Sequence, residues 1–243
     1  MPDDLVHHPD GPVLVVTAHP DDVDFGMAGT LSRWAAGGAE VVYCLVTSGD
    51  AGGFDPTISR QGMVEIRERE QRDAAAVVGA KDVVFLGYPD GRVQPSIELR
   101  RDISRVIRQV RPVRVVTQSP VRDLDRLFAS HPDHLAVGEA TLCAVYPDAR
   151  NPFAHPELAE AGFEAHTVAE VWIAGGPAAN AWVDITDTFE QKLAALRCHR
   201  SQVAHHDPSG FTDMMRSWGV RLAGTGGLPE GRLAEAFRRI DTA

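Results

Sequence analysis

Apolar positions fall in short, dense runs along this chain. Residues 13–17, 40–47, 83–86, 113–118 and 168–174 are mostly valine-rich and apolar on both parities, the pattern of strands covered on both faces. Residues 181–185 read as a further short strand. Between the runs, apolar residues recur at helical spacing. Residues 29–36 make one such stretch, stopped by Gly37-Gly38, as helices commonly are. Residues 63–78 begin charged, become alanine-rich and end at Gly79. Residues 96–110 set Ile97, Ile103, Val106, Ile107 and Val110 near one face, with Pro112 closing the helix. An apolar segment covers 135–142, a helix is expected over 189–200, and a terminal helix over 233–240. Residues 148–164 read as a long loop with one helical turn, and 1–11 as a loose tail.

Strands alternating with helices of this length imply βαβ units and a mostly parallel sheet with helices on both faces. The expected fold is therefore α/β and Rossmann-like. Neither a repeat nor a low-complexity linker divides the chain, so residues 1–243 read as a single domain, with 203–243 as a C-terminal loop and helix.

Composition acts mainly by exclusion. The formal charge is −10, with no basic run to offset it, so a phosphate-backbone partner is not expected. Lys81 and Lys192 are the only lysines among 24 basic residues. The longest apolar runs, such as 41–46, are too short to cross a bilayer. The first residues, MPDDLVHH, lack the basic start and apolar core of a signal peptide. The reading is a cytoplasmic protein with no nucleic-acid or membrane partner, and homo-oligomerisation is left open. Cys44, Cys143 and Cys198 are scattered and without Cys-x-x-Cys spacing, so they mark neither a disulfide framework nor a thiolate metal site.

Candidate chemistry lies in the His-Pro-Asp sequences. His8, His19 and His131 each open one, and His155-Pro156-Glu157 is close. Ligands of open parallel sheets bind beyond the carboxyl ends of the strands. His19-Pro20-Asp21-Asp22 directly follows the first strand, and His131-Pro132-Asp133-His134 follows the 113–118 strand through a polar loop. Both project from one sheet edge, whereas His8 precedes the first strand and His155 sits in the long loop. Taken singly, the first block is an Asp-rich turn and the second a surface histidine pair. Together they read differently. The first block can aim an imidazole and a carboxylate at one centre, and i,i+3 spacing puts two imidazoles on one helix face. Imidazole and carboxylate suit zinc or another divalent transition metal, and the groups exceed the three that a catalytic zinc needs. The surplus could supply a base and an oxyanion donor.

At these blocks the chain resembles the PIG-L/LmbE superfamily of zinc-dependent N-acetylglucosaminyl deacetylases. Ala18-His19-Pro20-Asp21-Asp22 and His131-Pro132-Asp133-His134 match its two signatures in order and separation. The resemblance implies His19, Asp22 and His134 as zinc ligands and Asp21 as the general base. It implies His131 as the residue that stabilises the oxyanion or protonates the leaving amine, and Asp133 as a carboxylate orienting a neighbouring imidazole. Arg67 matches a substrate-binding arginine and Asp90 a residue contacting sugar hydroxyls. Val23 departs from the pattern, since many members carry glutamate there. The implied activity is removal of an N-acetyl group from a small amino-sugar conjugate, with Zn2+ as cofactor and Fe2+ as an alternative ion for the same donors. A hydratase or an iron oxygenase could use the same site, and a non-catalytic binding module is the reading from another class. The doubled aspartate speaks against the last, because a structural metal site needs no spare base. Loop 148–164 and the segment after Gln202 are expected to set specificity. His205-His206-Asp207 reads as a solvated loop, His199 as a packing or surface residue of the 189–200 helix, and the four tryptophans as core or helix-packing residues.

Overall fold

A computed structural model describes residues 7–125, 127 and 130–242. Seven strands form one sheet in the order β3-β2-β1-β4-β5-β7-β6. They are β1 (Val13–Thr17), β2 (Val41–Thr47), β3 (Asp82–Tyr88), β4 (Arg114–Gln118), β5 (Glu170–Ala174), β6 (Ala181–Asp184) and β7 (Ala234–Asp241). β1 to β5 pair in parallel, with Val13 opposite Val41 on one side and Arg114 on the other. β7 runs antiparallel to both β5 and β6. The mostly parallel α/β sheet expected from the valine runs is thus present.

The period of two explains why β1 is apolar from Val13 to Val16. Val13 and Val15 face one layer with Leu31, Trp34, Ala74, Val78, Leu193 and Leu196. Leu14 and Val16 face the other layer with Leu99, Ile103, Ile107, Val137 and Ala140. Each fully buried Val or Leu contributes roughly 1.5–3 kcal/mol, so a polar replacement at any of these four positions is costly. The helices of the first layer are α1 (Asp22–Gly26), α2 (Ala28–Ala36), α3 (Arg60–Val78) and, late in the chain, α7 (Phe189–Cys198). α4 (Ile97–Val110) and α5 (Pro132–Cys143) cover the second. Ser59 and Ser96 start α3 and α4 by accepting the Gly62 and Leu99 backbone N–H groups, and Gly79 ends α3 at φ 88°. Within loop 148–164 the helical turn is α6 (Pro156–Glu160). Trp34 and Trp172 are fully buried, with the Arg114 guanidinium 4.6 and 4.3 Å from their ring centroids.

The C-terminal region departs from expectation. Where a terminal helix is expected over 233–240, Ala234–Asp241 form strand β7. Leu233, Ala236, Phe237 and Ile240 have helical spacing and sit among good helix formers, but the unpaired edges of β5 and β6 both require backbone partners. A helix does occupy 203–243, earlier: α9 (Pro208–Thr225), following the short α8 (Arg200–Val203). Asp207 caps α9 by accepting the Gly210 N–H, and Pro208 fills its first position. Gly210, Gly219 and Gly224 hide it from a propensity reading. At the other end, residues 7–11 are docked rather than loose. The His7 carbonyl accepts a hydrogen bond from Arg114, and its ring lies 5.3 Å from that of Trp172. Residues 1–6 of the expected tail lie outside the described residues.

β7 also carries a buried ion pair. Glu235 accepts the Gly29 and Thr30 N–H groups at the start of α2 and the Lys192 ammonium of α7. Both side chains are nearly inaccessible, so removing one leaves the other charged and unmatched. Glu235→Ala is expected to cost about 3–5 kcal/mol in urea unfolding. A loss under about 1 kcal/mol would mean that the Lys192 charge finds another partner.

The order of the parallel strands reverses between β1 and β4, the switch point at which α/β folds place their sites. The two His-Pro-Asp blocks leave these two strand ends. No helix among the described residues is long and apolar enough to cross a membrane.

Candidate metal centre

The end of β1 is fixed before any reactive group appears. The Ala18 N–H donates to Gln118 at the end of β4, and the Ala18 carbonyl accepts both the amide and hydroxyl of Thr47 at the end of β2. The chain then turns through Pro20 into Asp21, which has φ 90° and ψ −28°. A non-glycine residue there costs on the order of 1–3 kcal/mol unless its surroundings hold it. They do. Gln71 accepts the Asp21 N–H at 2.9 Å, while Arg67 donates to the Pro20 carbonyl and to Asp21 Oδ2. The Asp21 carbonyl opens α1 by accepting the Asp24 and Phe25 N–H groups.

This turn brings Asp22 back onto His19, whose backbone N–H donates to Asp22 Oδ2 at 2.7 Å. His131 caps α5 from outside, and His134 lies in its first turn. His19 Nδ1 is 3.3 Å from His134 Nε2 and 3.4 Å from Asp22 Oδ2. His134 Nε2 is 3.0 Å from Asp22 Oδ1. A tetrahedral ion with ligands at about 2.0–2.1 Å requires donors about 3.3 Å apart. Two imidazoles and a carboxylate at these separations therefore fit one divalent ion.

The opposite nitrogen of His19 faces carboxylates. Nε2 lies 3.0 Å from Asp90 Oδ1 and 3.2 Å from Asp133 Oδ2. Asp133 accepts the Gly91 and Val93 N–H groups, and Asp90 accepts that of Ala51. With their oxygens so engaged, these carboxylates suit orienting the ring more than binding an ion, although His19, Asp90 and Asp133 also cluster within metal-ligand range. A carboxylate at Nε2 fixes the proton there and leaves the Nδ1 lone pair for a metal. His19, His131 and His134 form another cluster of that kind, but His131 Nδ1 already accepts the Asp133 N–H at 3.2 Å.

Electrostatics favour a cation. Asp21, Asp22, Asp90 and Asp133 surround the centre, with Arg67 as the guanidinium against Asp21. Burial works against charge on His19, yet hydrogen bonds to Asp133, Asp22 and Asp90 outweigh it and push the pKa up to about 12. Burial likewise opposes ionisation of Asp22, but His134 and His19 hold its carboxyl well below the usual range. Burial pushes Asp21 up to about 6, against the pull of Arg67. Burial and then the His19 charge lower the His131 imidazole.

All eight expected site residues fall at this one edge, some with duties the motifs did not suggest. Arg67, expected at the substrate, is buried and donates to Gly49, Pro20 and Asp21. Asp90, expected at sugar hydroxyls, lies against His19. Val23 is core. His155 pairs with Asp148, and His205 packs on Phe54. Gln71 and Asp24 escaped the sequence reading; the one available signal was Gln71 standing four residues after Arg67 on a helix face.

The matching family model is PIG-L, described as GlcNAc-PI de-N-acetylase, over residues 14–145. Diacetylchitobiose deacetylase of Thermococcus kodakarensis is 33% identical over 190 residues, 78% of this chain and 69% of its own. The structure of N,N'-diacetylchitobiose deacetylase from Pyrococcus horikoshii superposes with TM-score 0.87 and 28% identity, covering 95% of this chain and 84% of that one. The 4-carboxy-2-hydroxymuconate hydratase GalB of Pseudomonas putida KT2440 superposes with TM-score 0.77 over 96% and 97% of the two chains, and its 20% identity speaks for the fold alone. The family model spans more than half of the chain and includes both His-Pro-Asp blocks, so this chain belongs to the PIG-L family of de-N-acetylases.

Proposed function

We propose that the chain is a zinc-dependent N-deacetylase that removes the acetyl group from the nitrogen of an N-acetylglucosamine-type sugar conjugate. The observation that carries this reading is the His19, Asp22 and His134 tripod with the spare carboxylate of Asp21 beside it. Two imidazoles and one carboxylate suit zinc, and iron as well, but amide hydrolysis needs no redox change. Such an ion, when bound, polarises a carbonyl and lowers the pKa of a water to about 7.

The protein's own groups do the rest. Asp21, held by Arg67 and by its backbone amide, accepts the proton of the attacking water. His131 accepts the Asp133 N–H at Nδ1, so the neutral ring carries its proton on Nε2. That N–H is the donor available to the developing oxyanion. Asp133 and Asp90 hold the His19 ring from its far side. Asp21 returns the proton to the departing nitrogen.

His131→Ala is expected to retain the metal and lower kcat about 10²–10³-fold, the scale for an oxyanion donor. Loss of the metal in this variant would instead make His131 a ligand. The function itself is tested on a panel of N-acetylglucosaminides, following amine and acetate together. Equimolar release that stops with a chelator and returns with zinc is the expected result. A hydratase would leave every amide intact.

A further inference from the structure

His199 ends α7, and neither its side chain nor that of Asp24 is exposed at all. Its Nε2 lies 2.7 Å from Asp24 Oδ2. The same oxygen accepts Gln71 Nε2 at 3.0 Å. Gln71 Oε1 in turn accepts the Asp21 N–H. One continuous path of hydrogen bonds therefore joins α7 to the residue with the left-handed backbone.

The path has a direction. A side-chain amide can face either way, but a carboxylate only accepts and a backbone N–H only donates. Asp24 therefore selects the orientation in which Gln71 turns its oxygen toward Asp21. His199 supplies the donor that holds Asp24 in place. Ser201, two residues on, donates its amide and hydroxyl to Glu70, the neighbour of Gln71 on α3. Both ends of the path are thus tied to the helix that also carries Arg67.

Packing alone does not account for these residues. Val23, Met27 and Leu196 around them are apolar, and a well-packed apolar group commonly replaces a buried ion pair without loss. Among the described residues, Asp24 Oδ1 and His199 Nδ1 are instead buried without a hydrogen-bond partner. We infer that His199, Asp24 and Gln71 are positioning residues that hold the Asp21 backbone amide, and through it the direction of the Asp21 carboxylate. The inference rests on the reading of Asp21 as base.

The test compares zinc-loaded full-length His199→Leu, His199→Gln and Gln71→Met with Asp21→Asn. It reads kcat, KM, metal content and hydrogen exchange at the Asp21 amide by NMR. His199→Leu and Gln71→Met should lower kcat roughly 10–100-fold, as small misplacements do, with KM and metal content unchanged. Exchange at the Asp21 amide should rise about tenfold or more in both. His199→Gln keeps a donor for Asp24 and should restore most of both properties. Should His199→Leu not fold, Gln71→Met carries the test, since it leaves the His199–Asp24 pair intact. Unchanged Asp21 exchange in Gln71→Met, or a kcat loss in His199→Leu that His199→Gln does not relieve, overturns the relay. Full turnover in Asp21→Asn overturns the base assignment instead, and the exchange data separate the two failures.

Discussion

Asp21→Asn is expected to keep the fold and the metal while losing activity by roughly two to four orders of magnitude, the scale of a positioned base. Asparagine is among the residues that enter the left-handed region most readily, so the backbone at φ 90° is not disturbed. Its amide still hydrogen-bonds a water, and its oxygen still accepts from Arg67. Only the capacity to take a proton is removed. Initial rates on an N-acetylated amino sugar, with metal content measured on the same sample, decide the matter. Turnover within about tenfold of the parent would move the base elsewhere. Asp133 would be the next candidate, although its oxygens already accept the Gly91 and Val93 N–H groups.

The second large effect is loss of the metal. His134→Ala and Asp22→Ala each remove one of three donors, and the two that remain cannot hold a zinc that normally keeps three protein ligands. About one ion per chain is expected in the parent and less than about a tenth of that in either variant after gel filtration. Their stabilities should differ. His134 reaches the centre from the first turn of a helix, so its loss leaves the scaffold intact. Asp22 also accepts the His19 N–H, and Asp22→Ala should lower thermal stability as well. Full metal content in both variants would contradict the ligand assignment.

How much of this was legible depends on whether local chemistry or distant pairing decides an element. The valine runs of β1, β2 and β4 are apolar on both parities because helices cover both sheet faces, and that pattern survives in one dimension. The His-Pro-Asp blocks were legible because a strand end at a switch point fixes where the next residues go. β7 was not, because its spacing is helical and only the open edges of β5 and β6 make it a strand. Arg67 and Asp90 were placed at this edge by motif alone, which carried no information about burial or partners. Asp24, Gln71 and His199 come from three separate helical segments and meet through hydrogen bonds spanning 47 to 175 residues of sequence. No local pattern announces such a meeting.

The position of the ion decides which side chains are its ligands. Anomalous diffraction at the zinc edge from crystals of the zinc-loaded protein measures that directly. One peak is expected, about 2.0–2.2 Å from His19 Nδ1, the Asp22 carboxylate and His134 Nε2. A peak on the other side of the His19 ring, between Asp90 and Asp133, or no peak at this sheet edge, would contradict it.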